Sequence, residues 1–268
     1  MPVAEQNQLI EKIVADVVAR LQGTGTAWPA AAPQASPQAA AVPALGPADI
    51  AKYIDHTMLR PEAPTAAFDK LCREALQYRF FGVCVNSCRI AYVARKLQGT
   101  GVRVCSVVGF PLGAMTSRSK AFETREAIED GASEIDMVVN VGLLKSADFH
   151  GVEEDIRAVR RATRGNTVLK VIIETALLTQ DEKVMACELS KKAGADFVKT
   201  CTGFSGGGAS VEDLSLMRRV VGREMGVKAS GGVRTYKNAL SFIGAGANRL
   251  GCVSSVAVVT GAEGTGSY

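Results

Sequence analysis

From Asp49 onward the chain alternates between short apolar runs and longer segments with helical periodicity. The runs are KYIDHT, GVCVN, VRVCSVVGF, SEIDMVVN, VLKVIIET, DFVKTCTG, GVKASGG and NRLGCV, starting roughly 20 to 35 residues apart. That interval is the size of a βα unit. FDKLCREALQYR and RSKAFETREAIED are typical of the helical segments between them. Gly82, Gly131, Gly194 and Gly246 each stand just before a run, where a helix C-terminal cap is expected. Eight such units over about 220 residues predict an α/β chain folded as a (β/α)8 TIM barrel. An open doubly wound sheet is the alternative, but no dinucleotide glycine fingerprint follows the first run.

The barrel is expected over 48–268, preceded by two different pieces. Residues 1–22 place Leu9, Ile10, Ile13, Val14, Val17, Val18 and Leu21 on one face of an amphipathic helix. Glu5, Glu11, Lys12, Asp16 and Arg20 fall on the other face. Residues 23–47 read as an Ala/Pro-rich linker, with no charge between Arg20 and Asp49. Pro29, Pro33, Pro37, Pro43 and Pro47 forbid a continuous helix there and favour extended, semi-rigid chain. Trp28 lies in this linker and is expected to be solvated or packed on a partner. The linker holds the helix away from the barrel, so its apolar stripe is free for another molecule. The helix has neither the basic start nor the continuous apolar block of a secretory signal.

Composition narrows the function. A net charge of +4 over 268 residues, with no Lys/Arg-rich run, argues against a nucleic-acid partner. No stretch reaches the roughly 18 apolar residues of a membrane span. Seven scattered cysteines without C-x-x-C pairs suit reduced thiols in a cytoplasm. Only two histidines, His56 and His150, are present, so no histidine-based metal site is expected.

Strands of a parallel barrel should be apolar on both faces, so charges inside them demand explanation. Asp55, Asp136, Lys170, Glu174, Lys199 and Lys228 are such charges. Alternation of period two puts Asp136, Val138 and Asn140 on one face, and Lys170, Ile172 and Glu174 on another. The bland alternative is a satisfied structural layer of inward Lys and Asp pairs. Lys199 and Lys228 belong to successive runs, which places them on neighbouring strands roughly 5 Å apart. Like-charge repulsion and desolvation both favour the neutral amine, the form that attacks a carbonyl. Asp136 is then the candidate acid/base partner. An iminium is its own electron sink, so neither metal nor cofactor is expected.

Glycine-rich turns complete the pattern. Gly203 follows Lys199, Gly231 and Gly232 follow Lys228, and Gly251 and Ser254 are expected after the last strand. The segment GFSGGG lacks the spacing of a nucleotide P-loop. Turns after the late strands of this fold bind phosphate through exposed backbone N–H groups.

SEIDMVVN, KVIIET, DFVKTCTG and KASGGVRT, in that order, resemble the signature strands of class I deoxyribose-phosphate aldolases. The resemblance runs from about Ile50 to the C-terminus. It implies reversible aldol cleavage of 2-deoxy-D-ribose 5-phosphate to D-glyceraldehyde 3-phosphate and acetaldehyde. It also implies Lys199 as the Schiff-base lysine, Lys228 as the lysine that tunes it, and Asp136 as the proton-relay carboxylate. Asp55, Cys84, Lys170 and Glu174 fall on matching positions as pocket lining and its support. The chain departs from the family at Gly251-Cys252-Val253-Ser254-Ser255, where Val253 stands in for one serine of a G-x-S-S-G turn. Some relatives end in a mobile tail whose last tyrosine assists proton transfer. Here GAEGTGSY ends in Tyr268, and a short, disordered end is expected.

The alternatives are a related class I aldolase or transaldolase acting on another phosphorylated sugar, and an interaction protein whose N-terminal helix oligomerises it. Residues 1–22 with the linker resemble the encapsulation peptides that load cargo into bacterial microcompartments, implying a shell protein as partner. A homodimer or higher homo-oligomer is also expected.

Overall fold

All eight apolar runs form strands, and every helix lies in the segments between or beside them. The computed structural model describes residues 45–262, 264 and 266. The strands are β1 (Ile54–Met58), β2 (Gly82–Asn86), β3 (Arg103–Val108), β4 (Glu134–Val138), β5 (Val168–Ile172), β6 (Phe197–Lys199), β7 (Gly226–Ser230) and β8 (Arg249–Cys252). They pair in parallel, in chain order, and β8 pairs back onto β1 to close the barrel. The expected (β/α)8 fold is therefore the observed one.

The helices are α1 (Pro47–Ala51), α2 (Thr65–Tyr78), α3 (Ile90–Leu97), α4 (Ser117–Glu129), α5 (Val141–Lys145), α6 (Phe149–Ala162), α7 (Gln180–Lys192), α8 (Val211–Val221), α9 (Tyr236–Gly244) and α10 (Ser255–Thr260). Their starts follow from local chemistry. The Thr179 side chain accepts from the Glu182 N–H while Glu182 reaches back, a capping box that opens α7. Asp148 and Ser210 cap α6 and α8 in the same way, each accepting an N–H three residues on. In α6, Val152, Ile156 and Val159 are buried at helical spacing. The strand residues that point away from the barrel axis, Ile135, Met137, Leu169 and Val171 among them, are also without solvent exposure. Each such aliphatic side chain contributes about 1.5–3 kcal/mol through burial.

Gly131, Gly194 and Gly246 have φ of 109°, 84° and 107° and follow helix ends, as expected. Gly82 does not. Helix α2 closes on Arg79 in the left-handed region, and Gly82 opens β2. Its role is spatial: a Cβ there would lie 2.8 Å from Arg103 O and 3.2 Å from Asp55 Oδ1. Pro47, expected as linker, takes the first turn of α1, where its missing N–H costs nothing. The N-terminal helix of residues 1–22, most of the linker with Trp28, and Tyr268 lie outside the described residues. Among the described residues, no helix is long and apolar enough to cross a membrane.

Candidate active site

Alternation along β4, β5, β6 and β7 turns Asp136, Lys170, Lys199 and Lys228 toward the barrel axis, where they meet. Lys199 ends a three-residue strand and faces Lys228 in register on the next. Both ammonium groups donate to one atom, Asp136 Oδ2, at 2.8 Å and 2.9 Å. Lys170 donates to the other oxygen, Asp136 Oδ1, at 2.8 Å. Lys228 also reaches Asp55 Oδ2 at 2.5 Å. Four of the six charges singled out from the sequence thus form the centre, with Asp55 as a fifth member.

Three further partners were not identified from the sequence. Glu134 Oε2 accepts from Lys170 at 2.6 Å and from Arg249 at 2.8 Å. Arg249 also reaches Asp55 Oδ1 at 3.0 Å and lies over the Phe81 ring, 3.6 Å from its centroid. Cys105 donates its thiol to Asp136 Oδ1 at 3.1 Å. The signal for Glu134 was present: it is two residues from Asp136 on the same strand face.

These partners correct the picture of two repelling lysines. The centre holds four cations, Lys170, Lys199, Lys228 and Arg249, against three carboxylates, Asp55, Glu134 and Asp136. Burial pulls the Lys228 ammonium down, but Asp136 and Asp55 outweigh it and hold the group well above the ordinary lysine value. Lys170 is raised in the same way by Asp136 and Glu134 against its burial. Burial pushes the Asp136 carboxyl up, and Lys170, Lys199 and Lys228 together bring it well below the usual range. Lys170, Lys228 and Arg249 each touch two carboxylates, whereas Lys199 touches one and shares that oxygen. Lys199 keeps 2% exposure while Lys170 and Lys228 have none.

Cys84 is fully buried and faces Cys105 in register on the next strand. Burial raises the Cys105 thiol well above its ordinary value. Among the described residues Cys84, Cys105 and Asp136 are close enough together to hold a metal ion. The donor set does not fit one, because the Lys170 ammonium already sits 2.8 Å from Asp136 Oδ1 and 3.5 Å from Cys105 Sγ.

Glu174 departs from the strand alternation expected to place it on the face of Lys170, since β5 ends at Ile172. It follows β5 in the left-handed region, at φ 60°, and caps the loop after β6. Its carboxylate accepts from Thr202 N, from Thr202 Oγ1 at 2.5 Å and from Ser205 Oγ at 3.3 Å.

The glycine turns converge as expected. Gly203, Gly207, Gly231, Gly232, Gly251 and Ser254 line one small cavity of about 80 Å³, with Val233, Val253 and Arg234. Gly231 and Gly232 have φ of 78° and 80°, open to glycine without strain. Gly251 is corrected: it lies within β8, not after it. A Cβ there would come 2.8 Å from Ser230 Oγ and 3.3 Å from Lys228 Cε. Arg234 is the cavity's cation and was missed, although it follows the double glycine by two residues. Near the chain end, Gly264 N donates to Arg234 O and Gly266 N to Ser254 Oγ.

Fold and site together define a (β/α)8-barrel enzyme with lysines gathered at the axis and a glycine-lined cavity. Residues 50–261 match the model of the DeoC/LacD family aldolases. The chain belongs to that family. It is 58% identical to a deoxyribose-phosphate aldolase of Streptococcus sanguinis, over 81% of this chain and 98% of that one. It is 57% identical to one from Clostridium novyi, over 79% of this chain and 96% of that one. The tetrameric deoxyribose phosphate aldolase of Aeropyrum pernix superposes with a TM-score of 0.76 at 33% identity, covering 80% of this chain and 91% of that one.

Proposed function

We propose that the chain reversibly cleaves 2-deoxy-D-ribose 5-phosphate to D-glyceraldehyde 3-phosphate and acetaldehyde, through a Schiff base on Lys199. The observation that carries this reading is the uneven sharing of charge among the buried cations. Loss of one proton makes the four-cation, three-carboxylate centre neutral. Lys199 supplies the amine with a single carboxylate contact.

The amine adds to C1 of the open-chain sugar, and loss of water leaves an iminium. That cation accepts the electron pair of the C2–C3 bond while the C3 hydroxyl loses its proton, which releases the three-carbon aldehyde phosphate. The enamine that remains is protonated at C2 and hydrolysed to acetaldehyde. Asp136 relays these protons through water, and Lys228 holds the carboxylate in place. Asp55, Cys84 and Lys170 line the pocket beneath. Gly203, Gly231, Gly232, Gly251 and Ser254, with Arg234, take the phosphate.

The test is substrate profiling of the purified protein. Turnover of 2-deoxy-D-ribose 5-phosphate above other phosphorylated sugars is expected. Transfer of a three-carbon ketose fragment instead would favour a transaldolase.

The reading extends to a cytoplasmic homo-oligomer, supported by the tetrameric relative. It also assigns residues 1–22 to a shell protein of a bacterial microcompartment. The apolar stripe, the uncharged linker and a volatile, reactive product support that assignment. Fluorescent protein fused to residues 1–22 should collect in shells, and diffuse signal would leave self-association of the helix instead.

A further inference from the structure

Beside the catalytic centre, the outward-facing residue of β1 makes a second buried polar chain that the reaction does not use. His56 is 5% exposed and next to Asp55. Its Nδ1 lies 2.9 Å from Ser255 Oγ, and its Nε2 lies 2.9 Å from Glu74 Oε2 on α2. The Phe80 ring packs against it, with centroids 5.1 Å apart. The Ser255 hydroxyl also lies 2.8 Å from Cys252 O, so one side chain links the imidazole to the turn that begins at Cys252. Glu74 accepts from Nε2, and that hydrogen bond is the first cause of its lowered carboxyl.

Ser255 has no solvent exposure, which rules it out as a nucleophile despite the Ser–His–acid arrangement. What the chain does hold is a turn. Cys252 O and Ser255 Oγ close the segment Cys252–Ser255, and that segment carries Val253 and Ser254 to the glycine-lined cavity. The turn is short of one serine relative to its family pattern, so its backbone N–H groups carry more of the work. Their direction depends on how the turn is fixed from behind.

We infer that His56, braced by Glu74, is a positioning residue for the phosphate-binding turn, acting through Ser255 on substrate affinity and not on bond cleavage. This rests on the phosphate assignment of the cavity proposed above. The consequence is selective. Loosening the turn weakens grip on a phosphorylated sugar and leaves an unphosphorylated one untouched.

The experiment compares retro-aldol kinetics on 2-deoxy-D-ribose 5-phosphate and on 2-deoxy-D-ribose. His56→Ala and, as the smaller change, Ser255→Ala should raise KM for the phosphate ester about tenfold, the worth of one hydrogen bond. kcat should stay within about twofold, and kcat/KM for the free sugar should not move. His56→Asn, whose amide can take the place of Nδ1 beside Ser255, should recover most of the loss. Equal losses on both sugars, or no loss in Ser255→Ala, would overturn the positioning role. A wild-type protein that does not prefer the phosphorylated sugar would instead remove the phosphate assignment on which it stands.

Discussion

Lys199 and Lys228 donate to the same oxygen atom of Asp136, so neither lysine can change its charge or place without the other responding. This sharing makes the carboxylate, and not lysine–lysine repulsion alone, the element that couples them.

Lys228→Leu frees Asp136 Oδ2 for Lys199 alone and removes a neighbouring positive charge. The neutral amine then forms only at higher pH, although the more apolar pocket opposes this in part. The acid limb of kcat/KM should move upward, with activity reduced by at least about a hundredfold. An unchanged profile would show that the two lysines do not interact.

Asp136→Asn leaves three buried ammonium groups without their common counter-ion. Breaking a buried pair from one side costs about 3–5 kcal/mol, so the midpoint of urea denaturation should fall. The sign with pH follows from the lowered Asp136 carboxyl. Its contribution is fully present above the ordinary aspartate value of 3.8 and is lost as pH falls below it toward the depressed native value. Wild-type stability should therefore drop through that acid window, and the variant should show a shallower drop. Equal slopes in the two proteins would remove Asp136 from the stabilising network.

Gly251→Ala places a methyl group 2.8 Å from Ser230 Oγ and 3.3 Å from Lys228 Cε. Overpacking of this kind costs about 1–3 kcal/mol, and the flexible lysine is the side that yields. Turnover should fall by more than tenfold while the protein remains folded by circular dichroism. Wild-type kcat would show that Lys228 tolerates displacement.

The barrel was legible because a parallel strand covered on both faces must be an apolar run, and each run here is set off by caps and turns. VLKVIIET and SEIDMVVN announce both their strand character and their charged exceptions. The site was legible only in part. Asp136, Lys170, Lys199 and Lys228 stand out as charges inside apolar strands, but their partners do not. Glu134 opens β4 and Arg249 opens β8, where a charge is unremarkable until closure brings β1, β4 and β8 to one axis. Gly82 and Gly251 look like turn glycines for a related reason. They leave room for Arg103 O and Asp55 in one case and for Ser230 and Lys228 in the other, and a clash across strands has no trace in either local sequence.

Replacing Ile13 and Val17 with Glu breaks the apolar stripe of residues 1–22 and leaves the barrel sequence intact. Sedimentation of the cargo with purified shells should be lost, and kcat should be unchanged. A parallel loss of kcat would tie the N-terminal segment to catalysis instead.

The amine that attacks the substrate can be identified directly by covalent trapping. Acetaldehyde and borohydride, followed by peptide mapping, should leave a two-carbon adduct on Lys199, and Lys199→Arg should leave none, because guanidinium stays charged. An adduct on Lys228 or Lys170 in the wild-type protein would contradict the assignment of Lys199 as the nucleophile.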